Sequence, residues 1–227
     1  MQEIAQPLLR WFDEDGTMIP LSLFLPVLNE NSYIRYVDQM VFELVCKMIQ
    51  ESIQKGMKMV PISFNLSKAS FEDEPFMQEY MKVFQQFDIP KEYIEFELLE
   101  SISMDNSDKL IKVVDTIHKA GFRCALDDFG SGYSSMSVLA RVPIDIIKLD
   151  RSLFQNPYRD IDNFLIVDGL LDILHHFPVQ IVAEGVEDET VAEHMRQHGC
   201  DMIQGFYYYR PMPMDEFQRL IAEQGEC

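Results

Sequence analysis

The sequence predicts an α/β fold, and within that class a (β/α)8 barrel, on three observations. Short apolar runs alternate with amphipathic segments along almost the whole chain, glycines follow the helical runs, and each interior apolar run ends on a polar residue. The runs with strand character are Ile4–Leu9, Val60–Leu66, Tyr93–Leu98, Arg123–Asp127, Ile144–Leu149, Gln180–Glu184 and Met202–Phe206. Between them, helical spacing covers Tyr36–Lys55, Phe76–Phe87, Asp108–Lys119, Asn163–His175, Thr190–His198 and Met214–Glu223. Gly56, Gly121 and Gly199 stand where a left-handed C-terminal cap would sit.

The strand ends carry the functional signal. Asn65, Glu97, Asp127, Lys148, Glu184 and Gln204 close successive strands, and in a (β/α)8 barrel such ends converge on the face where active sites are built. A doubly wound open sheet is the competing fold, and it would spread these residues along an edge. Seven strands are counted where a closed barrel needs eight, so either a strand precedes this chain or the barrel is incomplete. With 227 residues and no linker or repeat, a single domain at 1–227 is expected, as a fragment or C-terminal part of a larger protein.

Composition narrows the function classes. The chain is 47% hydrophobic and 25% charged, which excludes disorder. A net charge of −19 argues against DNA, RNA or anionic lipid as partner, yet leaves room for a phosphate ligand held through divalent cations. No apolar run approaches a bilayer span and the N-terminus lacks a signal pattern, so a cytoplasmic protein is expected. Cys46, Cys124, Cys200 and Cys227 have no paired spacing and are read as reduced thiols.

The strongest motif is Asp127-Asp128-Phe129-Gly130-Ser131-Gly132-Tyr133, two adjacent carboxylates running into a glycine-rich turn. Carboxylate oxygens at such a turn suit hard divalent ions, and an N-capped turn of purely structural purpose uses the same residue types. Around it, in order, stand Leu8-Leu9-Arg10-Trp11, Pro20 and Phe24, Phe64-Asn65-Leu66-Ser67, and Glu95-Phe96-Glu97-Leu98-Leu99-Glu100. Ile147-Lys148-Leu149-Asp150, Ala183-Glu184-Gly185-Val186-Glu187 and Gln204-Gly205-Phe206 follow.

This ordered series resembles the EAL family, TIM-like barrels that recognise the cyclic dinucleotide c-di-GMP and hydrolyse it to linear pGpG. The resemblance implies that Asn65, Glu97, Asp127, Asp128 and Glu184 hold two Mg2+ or Mn2+ ions. It implies that Lys148 assists near the attacking water and that Gln204 supports the site. By the same likeness Glu100 and Glu187 brace the loop after the paired aspartates, Arg10 contacts a phosphate, Pro20 and Phe24 pack a guanine, and Asp150 lies on the ligand side. A homodimer and an upstream GGDEF or sensory domain are the partners that the family implies.

One position departs from the pattern. The tripeptide that gives the family its name lies four residues before the arginine of Arg-Trp, and here it reads Gln6-Pro7-Leu8. Glutamine offers a carbonyl oxygen without negative charge, a poorer ligand for a hard dication. Glu3 does not replace it, because an offset of three residues on a strand points to the opposite face. Three functions therefore stand: a c-di-GMP sensor with weakened or lost hydrolysis, an active metal-dependent phosphodiesterase, and a protein-interaction domain without ligand.

Other features read as structural. Glu95 shares a face with Glu97 and is expected to pair with Arg123. His194 and His198, at i and i+4, have metal-ligand spacing but no third ligand apparent in sequence. Phe206-Tyr207-Tyr208-Tyr209 is expected to pack at the strand end.

Overall fold

The structure, a computed structural model, describes residues 5–71, 75–99, 107–131, 139–154 and 164–224. It divides into two compact units, one made of residues 5–94 with 212–224 and one of residues 95–211. The expectations that rest on Glu3, Ile4, Glu100, 132–135, Asn163 and Cys227 lie outside the described residues.

The first unit opens on a short hairpin, β1 (Trp11–Phe12) against β2 (Met18–Ile19), followed by α1 (Leu21–Glu30) and α2 (Ile34–Gln54). Strand β3 (Ile62–Asn65) and helix α3 (Phe76–Phe84) complete its sequential part. Helix α2 buries Phe42, Val45, Cys46 and Ile49, the i, i+3, i+4, i+7 stripe of an amphipathic helix. Phe42 meets Phe64 of β3 and Tyr80 of α3 edge-on, with ring centroids 5.4 and 5.0 Å away. Burial of each such ring stabilises by about 1.5–3 kcal/mol, and edge-to-face contact adds to that.

The second unit contains β4 (Ile94–Leu99) from Glu95 onward and then, in chain order, α4 (Ser107–Lys119), β5 (Arg123–Phe129), β6 (Ile146–Leu149), α5 (Leu165–Leu174), β7 (Gln180–Ala183), α6 (Glu189–Gln197) and β8 (Met202–Ile203). Strands β4 to β8 pair in sequence order, all parallel, as βαβ crossovers require. Leu110, Val113, Val114 and Ile117 are the buried stripe of α4; Val167, Leu170, Leu171 and Leu174 are that of α5. The last helix, α7 (Met214–Gln224), belongs to the first unit, where Gln218 donates to the Ser52 hydroxyl at 3.1 Å. Among the described residues no helix is long and apolar enough to cross a membrane.

The expected helices are present within a few residues of their predicted ends, and Gly56, Gly121 and Gly199 take the left-handed cap conformation with φ of +75°, +84° and +82°. The first predicted strand is a correction. Across 5–10 there is only one isolated bridge, Ala5 beside Ile62, made by the Ala5 N–H to the Pro61 carbonyl and the Ser63 N–H to the Ala5 carbonyl. A parallel ladder would next use the N–H of residue 7, and Pro7 has none. Strand hydrophobicity is present here, but the hydrogen-bond donor is missing. The hairpin and α1 were not predicted; Pro26 inside α1 breaks the helical signal in sequence.

Candidate functional site

The unit spanning 95–211 gathers the acidic strand ends. Side chains two residues apart share a face of a strand, so Glu97, Asp127, Lys148, Glu184 and Gln204 stand one layer above a set that starts with Ala125, Ile146, Val182 and Met202. That lower set forms a fully buried apolar cluster. The register fixes the layers: Glu97 pairs with Ala125, Lys148 with Val182, and Val182 with Met202. Backbone bonds carry the order past the strand ends, from the Glu184 N–H to the Leu149 carbonyl at 3.0 Å and from the Gln204 N–H to the Ala183 carbonyl at 2.8 Å.

At the centre is Lys148, whose side chain is wholly buried and forms ion pairs with Glu97 and Glu184. Burial disfavours its ammonium, but Glu97, Glu184 and Asp127 outweigh that and hold its pKa above the ordinary lysine value. Glu184 is pushed the other way for a carboxylate. Burial raises its pKa, Lys148 opposes the rise, and Asp127 and Glu97 add to it. Among the described residues, three carboxylates, Glu97, Glu184 and Asp127, thus surround one ammonium. A hard divalent cation fits such an oxygen-rich donor set.

The paired aspartates depend on an irregularity. Leu126 pairs with Ile147 and Phe129 with Leu149, so β5 carries one residue more than β6 across the same interval. This bulge breaks the alternation that would send consecutive side chains to opposite faces. Asp128 occupies the left-handed region at φ +59°, a conformation that aspartate tolerates better than most residues. Its N–H donates to Asp127 Oδ1 at 2.9 Å, which fixes the Asp127 carboxylate. After the bulge, the Asp150 N–H donates to the Phe129 carbonyl, while Asp150 Oδ1 accepts from the Ser152 N–H at 3.0 Å and caps a short turn.

Gly205 follows Gln204 where no side chain fits. A Cβ there would lie 2.1 Å from the Val186 carbonyl oxygen and 2.4 Å from its nitrogen. This close approach stitches the loop after β7 to the one after β8, with the Val186 N–H donating to the Gln204 carbonyl at 3.1 Å. Glu187, on the same loop, is exposed and faces Arg151 at 3.8 Å. The turn it is expected to brace and Glu100 both lie outside the described residues.

The unit containing 5–94 holds Gln6, Arg10, Pro20, Phe24 and Asn65. Gln6 follows the single Ala5 bridge. Arg10 is exposed and donates to the Leu9 carbonyl at 2.9 Å. Pro20 is the cap residue of α1, and Phe24 is buried edge-on against Trp11 at 5.3 Å. Asn65 ends β3, and the turn after it is fixed by Asp38 of α2, which accepts from the Ser67 N–H at 3.1 Å and the Ser70 hydroxyl at 2.6 Å. Sequence reading missed Asp38, because a helix residue 29 positions before its partner leaves no local motif.

The minor expectations divide. Arg123 pairs with Glu95 at 2.8 Å as expected, and Cys46, Cys124 and Cys200 are free thiols. In the aromatic run Phe206, Tyr207 and Tyr209 are exposed, Tyr207 lies edge-on to Tyr208 at 5.0 Å, and Arg210 stands over the Phe206 ring.

Comparison with known proteins places this geometry. The curated signalling protein YkoW of Bacillus subtilis is 29% identical over 97% of this chain and 27% of its own length. The bifunctional diguanylate cyclase/cyclic di-GMP phosphodiesterase MucR of Pseudomonas aeruginosa is 28% identical over 96% of this chain and 32% of its own length. The chain therefore spans about a third or less of these two relatives. Among solved structures, the c-di-GMP complex of the PaMucR phosphodiesterase aligns with a TM-score of 0.85 at 28% identity, over 93% of this chain and 86% of that one. The expected α/β, barrel-type fold class is the fold that this likeness gives. The family model described as the EAL domain matches residues 4–211, nearly the whole sequence, and this chain belongs to that family.

Proposed function

We propose that this EAL domain binds c-di-GMP and hydrolyses it weakly or not at all, acting as a sensor of the second messenger. The single observation that carries the reading is the contrast between a retained acidic cluster and Gln6 at the first ligand position. Glu97, Asp127 and Lys148 are buried, Glu184 is half-buried, and Lys148 pairs with Glu97 and Glu184, an arrangement costly to keep without a cation or anion to serve. Gln6 removes one negative charge from the ligand set and follows Ala5, which bridges Ile62 of β3.

Glu97, Asp127, Asp128 and Glu184, with Asn65, would hold Mg2+ or Mn2+. Such ions, when bound, neutralise phosphoryl charge and lower the pKa of a coordinated water. Lys148, held charged by its three carboxylate neighbours, supplies a fixed donor toward a phosphoryl oxygen. Glu184, whose carboxyl is raised, is suited to accept and return a proton. Arg10 contacts a phosphate, and Pro20 and Phe24 contact a guanine. The domain works in the cytoplasm as one module of a longer signalling protein, a reading supported by its share of the relatives' length.

An active phosphodiesterase is the second reading, favoured by the intact Lys148 cluster. Calorimetry with c-di-GMP and measurement of pGpG formation in Mn2+ separate the two. Binding is expected at micromolar concentration or better, with slow turnover, and Gln6→Glu is expected to raise pGpG production at least ~10-fold. Brisk turnover by the parent chain would establish the enzyme instead, and absence of binding would refute both readings.

A further inference from the structure

The face formed by α5 and α6 carries a second group of metal-ligating side chains, independent of the acidic strand ends. Asp168 lies in the first turn of α5, His194 in the last turn of α6, and His198 caps that helix. One ligand atom from each lies within 4.8 Å of the other two. We propose that Asp168, His194 and His198 form a binding site for a transition-metal dication of the zinc class.

Three features support a ligand site beyond proximity. The His198 Nδ1 lies 2.9 Å from the His194 carbonyl, so it carries the proton and leaves the Nε2 lone pair free. That Nε2 stands 3.9 Å from Asp168 Oδ1, while His194 Nε2 is 2.6 Å from the same oxygen. Both imidazoles thus present the same nitrogen toward one carboxylate. Their orientation is restricted by stacking, with Phe164 parallel to His194 at 3.7 Å and His194 parallel to His198 at 4.0 Å.

The chemistry selects the metal. Two neutral imidazoles and one carboxylate give three ligands of total charge −1, and a water can complete a tetrahedral zinc site. Imidazole nitrogen favours Zn2+, Ni2+ or Cu2+ over Mg2+ and Mn2+, which prefer all-oxygen sets such as the strand-end cluster. On binding, the metal takes the Nε2 lone pair of His194 in place of the hydrogen bond to Asp168, and the ring proton moves to Nδ1, so the imidazole stays neutral. The side chains are 18% (His194), 35% (Asp168) and 41% (His198) exposed, so an ion reaches them without unfolding. Because its ligands come from two helices, the ion would cross-link α5 to α6.

The test uses the whole chain in excess Mg2+. Zn2+ titrated by calorimetry is expected to bind at one equivalent, and Co2+ in its place is expected to give the visible absorption of a four-coordinate ion. His198→Ala and Asp168→Asn are each expected to weaken Zn2+ at least ~10-fold, whereas Asp127→Asn in the strand-end cluster leaves it unchanged. Melting in chelator checks that the variants are folded. Asp168→Asn, nearly isosteric, carries the test if His198→Ala is not. Failure of the parent chain to bind Zn2+, or Zn2+ affinity equal in parent and both ligand variants, would overturn the site. Neither result bears on c-di-GMP binding, so the two proposals fail separately.

Discussion

The strand ends of the 95–211 unit and the segment at 5–10 contribute to the same family motif, but they are built in opposite ways. Strands β4 to β8 pair in sequence, Glu97, Asp127 and Lys148 at their ends are buried, and Lys148 is set against Glu97 and Glu184. The segment at 5–10 joins β3 at Ala5, Pro7 withholds the next donor, and Leu8 and Arg10 are exposed. Ligand residues on a continuous ladder are positioned by backbone geometry. A residue beside a single bridge is positioned only as well as its neighbours allow, and in the proposed reading that is where Gln6 stands in place of a charged ligand.

The largest test of this contrast is Lys148→Met. Removing the ammonium leaves Glu97 and Glu184 buried without their cation, and breaking a buried pair costs about 3–5 kcal/mol. Chemical denaturation in metal-free buffer is expected to show a loss of that size, part of it recovered on adding Mn2+. A loss below ~1 kcal/mol would mean that the cluster is neutralised some other way. By contrast, Gln6→Ala is expected to change stability by less than ~0.5 kcal/mol.

A second test uses pH. Burial pushes the Glu95 carboxyl up to about 7, with the partly exposed Arg123 guanidinium only partly offsetting it. The folded state therefore holds this proton up to about pH 7, while the unfolded chain releases it near the ordinary value of 4.5. Between those limits folding takes up a proton, so this contribution is full below the lower value and is lost as pH rises through the upper one. Because Gln mimics the protonated carboxyl, the parent is expected to lose on the order of 1–3 kcal/mol relative to Glu95→Gln from pH 5 to pH 8. A difference independent of pH would show that Arg123 keeps Glu95 ionised throughout.

The smallest effect is expected at Pro7. Pro7→Ala restores a donor facing the Ser63 carbonyl, and one added backbone bond contributes about 0.5–1.5 kcal/mol, offset by greater freedom of the unfolded chain. Amide exchange is the sharper readout, since slower exchange across 62–65 would indicate an extended ladder. With Gln6→Glu added, pGpG formation above that of Gln6→Glu alone would show that ladder continuity positions the ligand. Equal rates would assign the whole defect to the missing charge.

Much of the molecule was legible before its structure. Hydrophobic periodicity gave the parallel strands and their helices, because one buried face per element leaves a pattern of period 2 or 3.6 in the residues themselves. The strand-end acids and lysine were legible because polar residues closing apolar runs need a common destination. Gln6 is read as a departure from the resemblance alone, through its spacing from Arg10-Trp11. Tertiary structure decided what depends on partners distant in sequence. It placed Asp38 beneath the turn after Asn65, since a hydrogen bond across 29 residues has no local period. Across the described residues 5–9 it left a single bridge, since a missing N–H matters only once the neighbouring strand's carbonyl is in place. It brought Asp168 to His194 and His198, since a third ligand 26 residues away on another helix is set by how α5 and α6 pack, which no spacing within either helix encodes.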